Sequence, residues 1–509
     1  MPPVPRVLVG LLTVAALGVA SLGAVSPTAA ADDPGVPSIP AVPGLPIPSL
    51  PTDALVPRFV GGPVRAHPIA HRAVPQNPYL AANGTSSMHN DAYSSDAYDV
   101  SGPLGRGLQV SSRSYGVREC ATMTFDSRGR IVGLCGGLEG FTMMLIDPVS
   151  LEALAELQIS QRDATSGANP FSDICGGTYF YLDRNDVAYV LTTSRQIWKV
   201  QVGDGTLTKV GSYDVSAQVP GSDCVVATMP DWSGRIFFAT QQGRVGVVDP
   251  VTGQVRTMQF AGEGIFNSLA GDETGAIYVV TTQRLAAVEA DASGTPVLRW
   301  SEPYDRGTTQ KPGQLSQGSG TTPTLIGRDL VAITDNADPQ MHVIFYRRSG
   351  TAGDREICRV PVFGAGASDT ENSLAYAGGH SVLVENNYGY TGVASTELGQ
   401  TTSPGVARVD LADDGTCHVA WTSPVTAPTS VPKVSLANGL LYVYTKPPSN
   451  PLDDSWYLTA LDVRTGATQW SQRTGKGIQW NNHYASIYLG PDGSAYVPTL
   501  SGLIRFHDR

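Results

Sequence analysis

The sequence predicts an all-β fold, an eight-bladed β-propeller with four-stranded blades whose ring is closed by an N-terminal strand. A short apolar strand, a turn rich in Asp, Asn and Gly, and a second apolar strand recur eight times between residues 119 and 509, which is the periodicity of a propeller. The 56 Gly and 37 Pro residues, with only 16% charged residues, suit short strands joined by tight turns. The last repeat ends before its fourth strand.

The turns that close the innermost hairpin of each repeat count the blades, and they are spaced about 40 to 60 residues apart. Most are followed by a second, a third and an edge strand, as in residues 235–260, which makes four strands per blade. The eight turns are residues 126–129, 184–186, 231–234, 272–275, 327–329, 378–379, 438–439 and 491–493.

The missing strand of the last blade is expected to come from the other end of the domain. Residues 502–509 fit only the third strand of that blade, whereas residues 104–112 precede the first inner strand and alternate weakly between apolar and polar. We predict that 104–112 closes the ring, since a strand shared between the two ends leaves no open edge.

The N-terminus has the pattern of a secretory signal peptide over residues 1–31. Arg6 precedes the apolar stretch 7–25, and small residues up to Ala31 precede Asp32, which predicts cleavage after Ala31. A membrane anchor is the competing interpretation, but three glycines in the apolar stretch and the Ala-x-Ala site disfavour it. We expect a secreted or cell-envelope protein with no integral membrane segment after cleavage.

Residues 32–101 are predicted to be a Pro-rich linker and a lead-in segment, and residues 102–509 the propeller domain. Prolines every few residues between 34 and 57 indicate a semi-rigid extended spacer. Such a spacer could hold the domain away from a cell wall. We also consider the cell envelope a candidate partner of the domain. A disordered tail left after processing is the alternative interpretation.

The charge balance argues against one class of partner. The chain has 45 acidic and 34 basic residues, a net charge of −11, and no Lys/Arg cluster that would track a phosphate backbone. We therefore expect no nucleic-acid partner.

Six cysteines in an exported chain without a C-x-x-C pair indicate three disulfides rather than a metal site. Counting outward from the turn at 126–129 brings Cys120 opposite Cys135 across an antiparallel hairpin. The other two predicted pairs are Cys175 with Cys224, at matching positions of successive inner strands, and Cys358 with Cys417, in the outer strands of neighbouring repeats.

Residues 458–470 (LTALDVRTGATQW) resemble the repeat of the pyrroloquinoline-quinone-like, or quinoprotein alcohol dehydrogenase-like, propellers. That repeat has an apolar strand, Leu-Asp, Thr-Gly and a Trp between blades, and residues 247–255 and 144–150 are weaker copies. The resemblance covers about residues 102–509 and implies eight blades. The stretch 88–91 (MHND) also resembles the lead-in before the first blade of such proteins.

The resemblance implies less about activity than about architecture. The quinone-dependent dehydrogenases of this superfamily hold their cofactor beneath two adjacent disulfide-bonded cysteines, with Ca²⁺ and an Asp base. This sequence has no adjacent cysteines, which argues against pyrroloquinoline quinone as a cofactor, although some relatives lack that pair.

Polar residues open most of the inner strands, where the blades of a propeller converge on the central channel. A channel lined with polar side chains that only hold water is the alternative interpretation. The candidate channel residues are Glu119, Asp173, Asp223, Asn267, Glu371, Asn372, Asn481, Asn482 and His483.

Acids and amides are densest in the fifth and sixth repeats. Because the two strands of a hairpin are antiparallel, the start of one and the end of the next meet at the same face of the ring. Oxygen atoms gathered in this way suit Ca²⁺, which takes six to eight oxygen ligands at roughly 2.3–2.6 Å. The candidate metal ligands are Asp335, Asn336, Glu371, Asn372, Glu385 and Asn386.

Two of these positions are candidate catalytic residues. They are Glu371 and His483, and His483 could act as a general base near neutral pH; a structural histidine at a blade end is the alternative. Asn387, Tyr388 and Tyr390 would suit a carbohydrate-like ligand, with the aromatic rings stacking on its apolar face, although aromatic residues beside turns also serve blade packing.

The sequence leaves open whether the protein is an enzyme. Our leading hypothesis is an exported propeller that binds a small or carbohydrate-like ligand on one face of the channel, with Ca²⁺ as a possible bridging ion. A metal-assisted hydrolase or lyase, a quinone-dependent dehydrogenase and a non-catalytic envelope scaffold are the alternatives, because a fold alone does not define a function.

Overall fold

The computed structural model describes residues 41–49, 56–161, 174, 175, 178–351, 353–451 and 453–509. Within them, eight four-stranded antiparallel sheets form the blades of a propeller ring, and the described helices are two short 3-10 turns, Val393–Thr396 and Ile478–Trp480. This confirms the predicted fold class. The predicted signal peptide lies outside the described residues.

Every described strand is short, and most contain between two and nine residues. In chain order they are β1 (Phe59–Gly61), β2 (Ala97–Tyr98), β3 (Gln109–Ser114), β4 (Arg118–Phe125), β5 (Ile131–Gly137), β6 (Gly140–Ile146), β7 (Ala153–Gln161), β8 (Tyr181–Leu182), β9 (Val187–Leu191), β10 (Gln196–Val202), β11 (Leu207–Asp214), β12 (Val225–Pro230), β13 (Ile236–Thr240), β14 (Arg244–Val248), β15 (Val255–Gln259), β16 (Ala270–Gly271), β17 (Ile277–Val280), β18 (Arg284–Ala290), β19 (Pro296–Pro303), β20 (Thr324–Ile326), β21 (Leu330–Thr334), β22 (His342–Arg347), β23 (Glu356–Pro361), β24 (Ala375–Tyr376), β25 (Ser381–Glu385), β26 (Val406–Leu411), β27 (Cys417–Ser423), β28 (Lys433–Ser435), β29 (Leu440–Thr445), β30 (Ser455–Asp462), β31 (Thr468–Lys476), β32 (Tyr488–Leu489), β33 (Ala495–Thr499) and β34 (Gly502–His507).

The blades follow the chain with one exception. Blade 1 consists of β4–β7, blade 2 of β8–β11, blade 3 of β12–β15, blade 4 of β16–β19, blade 5 of β20–β23, blade 6 of β24–β27 and blade 7 of β28–β31. Blade 8 combines β32–β34 with β3 from the start of the domain. Blade 7 is extended by β1 on its outer edge and by β2, parallel to β28, on its inner edge.

Burial changes from the inner to the outer strands of a blade. The second strands, such as β13 (IFFAT) and β21 (LVAIT), are buried along their whole length, as expected of strands covered on both faces. The outer strand β11 alternates between half-buried and exposed residues. The cores between blades are therefore built from the second and third strands, and the innermost strands are left to shape the channel.

The eight predicted turns all lie between the first and second strands of a blade, and an aspartate side chain closes several of them. In blade 3, Asp231 Oδ1 accepts hydrogen bonds from the amides of Ser233 (2.8 Å) and Arg235 (2.9 Å). Gly234 adopts φ 87° in this turn, a conformation that glycine reaches without strain. The Asp-x-x-Gly pattern thus marks blades for a local physical reason.

The predicted closure of the ring is confirmed. β3 pairs antiparallel with β34 from Gln109 opposite His507 to Ser114 opposite Gly502. The observed strand, Gln109–Ser114, starts later than the predicted segment 104–112, because the amides of residues 104 and 106 bond to a side chain and not to a neighbouring strand. The carboxylate of Asp508 accepts hydrogen bonds from the amides of Leu104 (2.7 Å) and Arg106 (2.8 Å).

All three predicted disulfides are confirmed, and they join different parts of the ring. Cys120–Cys135 links the first two strands of blade 1, and Cys175–Cys224 links the segments that lead into blades 2 and 3. Cys358–Cys417 ties the outer strand of blade 5 to that of blade 6.

The lead-in segment, which we define as residues 86–98, runs along the inner edges of several blades. Nearly every residue of it is buried, and its carbonyl groups accept hydrogen bonds from the innermost strands. These bonds are Leu182 N to Ser86 O (2.8 Å), Gly271 N to Ala92 O (2.7 Å), Leu325 N to Tyr93 O (2.9 Å) and Tyr376 N to Ser95 O (2.8 Å), while Ala97 and Tyr98 form β2.

Ring closure by Asp508 can be tested by measuring stability. We expect Asp508→Ala to lower the free energy of unfolding by about 2 kcal/mol, because two backbone amides lose a charged hydrogen-bond acceptor. Urea denaturation followed by tryptophan fluorescence measures this change. The matched control is Asp413→Ala, since Asp413 is exposed in the turn between β26 and β27 and its replacement removes the same charge. Equal effects of the two substitutions would contradict the role of Asp508.

Candidate functional site

The innermost strands surround a central cavity of about 150 Å³. Its wall is formed by residues that open or precede the inner strands of blades 1, 4, 5, 6, 7 and 8. One sector is apolar and includes Val117, Leu134, Leu138 and Phe141 of blade 1. The polar residues of the wall include Glu119, Asn267, Thr322, Glu371, Asn372, Ser373 and His483.

Five of the predicted channel and catalytic residues therefore line the same cavity. Three further predicted residues make structural hydrogen bonds instead. Asp223 accepts hydrogen bonds from Thr240 Oγ1 (2.6 Å) and from two backbone amides. Asn481 bonds to Thr396 and to the amide of His483, and Asn482 bonds to Thr429 and to the carbonyl of Ala485. Asp173 lies outside the described residues.

Three oxygen atoms of the cavity wall are buried and have no hydrogen-bond partner among the described residues. They are Glu119 Oε1, Glu371 Oε2 and Asn372 Oδ1. Buried polar atoms in proteins are almost always hydrogen-bonded, and an unsatisfied one costs roughly 1–3 kcal/mol. All three atoms belong to residues of the cavity wall, but the atoms themselves are enclosed. Glu385 Oε2 and both carboxylate oxygens of Asp369, in the same sector, also have no partner among the described residues.

A hydrogen-bonded network lies behind Glu371 and fixes this sector. Asn387 Oδ1 accepts a hydrogen bond from the amide of Glu371 (2.8 Å), and Asn387 Nδ2 donates to Glu385 Oε1 (3.0 Å). Asn372 Nδ2 also donates to Glu385 Oε1. Asn387 and Glu385 thus position the backbone and the neighbour of Glu371 and do not themselves line the cavity.

The predicted calcium ligands are not gathered around one point. Asp335 Oδ2 pairs with His342 Nδ1 (2.9 Å), and the amide groups of Asn336 and Asn386 donate to backbone carbonyls. Across the described part of the chain, no three His, Cys, Asp or Glu side chains are arranged to hold a metal ion. Calcium stays a prediction, and Glu371 with Asn372 is where it would have to bind.

Burial raises the pKa of Glu371, Glu385, Asp369 and Glu119. Desolvation raises the pKa of Glu371 and of Glu385 to about 8. Desolvation, with the nearby charge of Glu371, raises the pKa of Asp369 to about 8. Burial also raises the pKa of Glu119 well above its usual value. At neutral pH Asp369, Glu371 and Glu385 are therefore largely protonated, and each protonated carboxyl can donate one hydrogen bond.

A second pocket lies outside the cavity, and His483 with Tyr484 belongs to the walls of both. This outer pocket has a volume of about 690 Å³ and is lined by Lys311, Leu315 and Tyr390 among others. Tyr390 Oη bonds to His483 Nδ1 (2.8 Å), and Tyr484 Oη donates to the carbonyl of Gly313 (2.8 Å). Of the two predicted stacking tyrosines, Tyr390 lines this pocket, whereas Tyr388 lines neither pocket.

The side chains that separate the two pockets have strained backbones. His483 and Tyr484 have φ angles of 30° and 64°, which non-glycine residues adopt at a cost of order 1–3 kcal/mol. Leu315, from the long segment before blade 5, completes the partition. The surrounding contacts therefore hold His483 and Tyr484 in a backbone conformation that non-glycine residues disfavour.

The sequence did not indicate four residues of the cavity wall. Met88 and His89 of the lead-in segment form part of the wall, as do Tyr179 and Tyr484. The lead-in segment contains His89, Asn90, Asp91 and Asp96, together with several serines, and is nearly fully buried. This density of polar residues could have indicated a functional segment. The sequence does not show, however, that the segment enters the ring.

No helix among the described residues has the length and apolar character to cross a membrane. No protein-family model matches the chain. An uncharacterized protein of Archaeoglobus fulgidus is 27% identical over 422 residues, which cover 77% of each chain.

Three solved structures are similar to this chain. The quinohemoprotein alcohol dehydrogenase of Comamonas testosteroni superposes with a TM-score of 0.54 at 12% identity, covering 84% of this chain and 81% of that one. A europium-containing methanol dehydrogenase gives 0.47 at 12% identity, covering 83% and 89%, and BamB of Moraxella catarrhalis gives 0.45 at 10%, covering 81% and 96%. These similarities show the fold, an eight-bladed β-propeller whose ring is closed by a strand from the start of the domain.

Proposed function

We propose that this protein is exported and binds a small hydroxylated ligand in the central cavity. The observation that supports this most directly is the set of three cavity oxygens without a partner, on Glu119, Glu371 and Asn372. A ligand carrying hydroxyl groups would satisfy them, because a hydroxyl both donates and accepts hydrogen bonds. The surrounding network of Asn387 and Glu385 would keep these atoms in place before the ligand binds.

The size and polarity of the cavity restrict the ligand further. A cavity of about 150 Å³ holds a molecule of about the size of benzene. Polar groups on the blade 6 side face an apolar sector from blade 1, which suits a ring with hydroxyl groups on one side and carbon–hydrogen surface on the other. A small polyol or a hydroxylated ring of about the size of benzene fits this description.

The raised pKa of Glu371 determines which kind of contact it would make with a ligand. A protonated Glu371 donates a hydrogen bond to a ligand oxygen, whereas a cation in the cavity would favour its ionised form. Calcium remains a proposal for the same position, with Glu371 and Asn372 as its protein ligands. If Ca²⁺ binds there, it would lower the pKa of Glu371, because a nearby positive charge stabilises the carboxylate.

The ligand site can be tested by replacing Glu371 with a residue of similar shape. In Glu371→Met, the free energy of unfolding without ligand should rise by about 1 kcal/mol, because a buried polar group without a partner is removed. The same variant should lose the rise in melting temperature that the best of a panel of small polyols and hydroxylated rings gives the wild type. Differential scanning calorimetry measures both quantities.

Glu385→Met is the matched control. Glu385 is more deeply buried than Glu371, at 1% exposed. Its Oε2 also lacks a partner, but its Oε1 accepts hydrogen bonds from Asn372 and Asn387, so its removal should destabilise the chain by roughly 2–4 kcal/mol. If Glu371→Met were as destabilising as Glu385→Met, Glu371 would be a structural residue. If no member of the panel, and no Ca²⁺, shifted the wild-type melting temperature, the proposed ligand class would be wrong.

The raised pKa of Glu371 predicts a pH dependence of stability. Between about pH 5 and 8 the folded chain keeps a proton that the unfolded chain releases near pH 4.5, so rising pH favours unfolding. Glu371→Gln should make the decline in unfolding free energy over this range shallower, by at most about 1.4 kcal/mol per pH unit. Urea denaturation at several pH values measures the slope.

Asp249→Asn is the control for this titration. Hydrogen bonds from the amides of Thr252 and Val251 lower the pKa of Asp249, so it titrates below the range and its replacement should leave the slope between pH 5 and 8 unchanged. An unchanged slope in Glu371→Gln as well would mean that Glu371 ionises at an ordinary pH.

Export predicts a defined mature N-terminus. When the full chain is expressed in a host with a general secretion pathway, the secreted protein should begin at Asp32, as read by N-terminal sequencing. Replacing both Ala29 and Ala31 with leucine should block cleavage, since the peptidase requires small residues there, whereas Pro34→Ala should not. A secreted product that retains residues 1–31 would contradict the signal peptide.

A further inference from the structure

The floor of the central cavity contains a histidine that belongs to no blade. His89 lies in the lead-in segment, is 3% exposed and forms part of the cavity wall beside Met88. Its ring packs in a stacked arrangement against Tyr179, with the ring centres 6.1 Å apart. The lead-in segment therefore places a titratable side chain where the inner strands of the ring supply only carboxyl, amide and hydroxyl groups and His483.

One side of this ring is held by a carboxylate. His89 Nδ1 lies 3.0 and 3.1 Å from the two oxygens of Asp96, and both residues are buried. Since an ionised carboxylate only accepts hydrogen bonds, Nδ1 must carry a proton to make this contact. The neutral imidazole then has its lone pair on Nε2.

Asp96 is kept ionised by a buried cation. Burial alone would raise the pKa of Asp96, but the charge of Lys433 and the hydrogen bonds from His89 and Lys433 outweigh it and hold the pKa below its usual value. Lys433 Nζ forms an ion pair with Asp96 and donates to the carbonyl of Met88 (2.5 Å). Lys433 and Asp96 are both fully buried, so this arrangement excludes water from the Nδ1 side of the ring.

The other side of the ring faces the cavity. The neighbour of His89 Nε2 is Thr322 Oγ1 at 3.4 Å, and Ser373 Oγ lies 3.4 Å from Nδ1. Both hydroxyl groups line the cavity. Thr322 Oγ1 accepts a hydrogen bond from the amide of Ser268 (3.1 Å), so its single proton is donated either to His89 Nε2 or to a molecule in the cavity.

We propose that His89, oriented by Asp96, is a general base that activates a water molecule in the central cavity for hydrolysis of a small ester of a hydroxylated compound. The proposal rests on the ligand site described above and adds a reaction to it. The arrangement follows a general rule of catalysis, in which a buried carboxylate fixes the tautomer of a histidine whose second nitrogen takes the proton. Asp96 is a positioning residue, because it acts through His89.

The reaction needs no further reactant beyond water. His89 Nε2 takes a proton from water while the water oxygen bonds to the carbonyl carbon of the ester, and the carbonyl π electrons move to the carbonyl oxygen. When the carbonyl reforms, the bond to the alcohol oxygen breaks, and that oxygen takes the proton from Nε2. The products are a carboxylic acid and an alcohol, and His89 returns to its neutral form.

The experiment uses the purified protein with ethyl acetate as the probe, an ester of about the size that the cavity holds, and follows acid release by titration at constant pH. We expect His89→Gln to lower kcat/KM by about 100-fold or more, as removal of a general base does, and to leave the melting temperature within a few degrees of the wild type. Asp96→Asn should lower kcat with KM unchanged, because it removes the fixed tautomer and not the binding groups. If Asp96→Asn does not fold, His89→Gln alone decides.

His342→Gln is the matched control. His342 Nδ1 also pairs with an aspartate, Asp335, at 2.9 Å. His342, however, lies at the start of β22, the third strand of blade 5, and does not line the cavity. Its replacement should leave hydrolysis unchanged. In a variant such as His89→Gly, added imidazole should restore part of the activity, which a purely structural histidine would not show.

The outcomes separate this inference from the ligand site. If wild type and His89→Gln hydrolysed the probe at equal rates, or if wild type did not hydrolyse it while hydroxylated ligands still raised its melting temperature, His89 would not be a base and the ligand site would stand. If neither hydrolysis nor any thermal shift occurred, both proposals would fail.

Discussion

The architecture of the cavity depends on the hydrogen bonds between the lead-in segment and the inner edges of the ring. A closed propeller leaves its innermost strands without a neighbour on the channel side, and buried backbone groups without partners are costly. The lead-in segment supplies carbonyl acceptors to the inner strands of blades 2, 4, 5 and 6 and pairs with that of blade 7. It thereby closes one end of the channel and turns it into a cavity with a floor.

The same segment introduces charges into the centre of the molecule, and these have to be balanced there. Asp96 is balanced by Lys433, which opens β28 of blade 7. Breaking a buried pair by removing one partner is strongly destabilising, so this contact ties the lead-in segment to one blade and one register. Glu119 and Glu371 are different, because they lie in the same interior without a cation beside them. Folding alone gives no reason for leaving them there.

The sequence predicted what depends on local patterns and missed what depends on distant contacts. The eight turns, the closing strand and the three disulfides were confirmed, because Asp-x-x-Gly turns and strand registers are encoded by neighbouring residues. The position of the lead-in segment was not predicted, since it has no period-two pattern and pairs with strands up to 345 residues away. Asn336 and Asn386 looked like ligands. Asn386 Oδ1 is used by the amides of Asp369 and Tyr388, whereas Asn336 is held through its Nδ2 group and its Oδ1 has no partner among the described residues.

Two histidine–aspartate pairs show why residue type alone could not define the site. His342 with Asp335 and His89 with Asp96 have nearly the same Nδ1-to-carboxylate distance, 2.9 and 3.0 Å. The first pair connects the end of β21 to the start of β22, and Asp335 also accepts the backbone amide of His342, so it stabilises a strand junction. The second pair crosses a bend of the lead-in segment, and His89 forms part of the cavity wall, where its Nε2 lies 3.4 Å from Thr322 Oγ1. The chemistry available to each histidine is set by what faces its second nitrogen, and the path of the chain through the ring determines that.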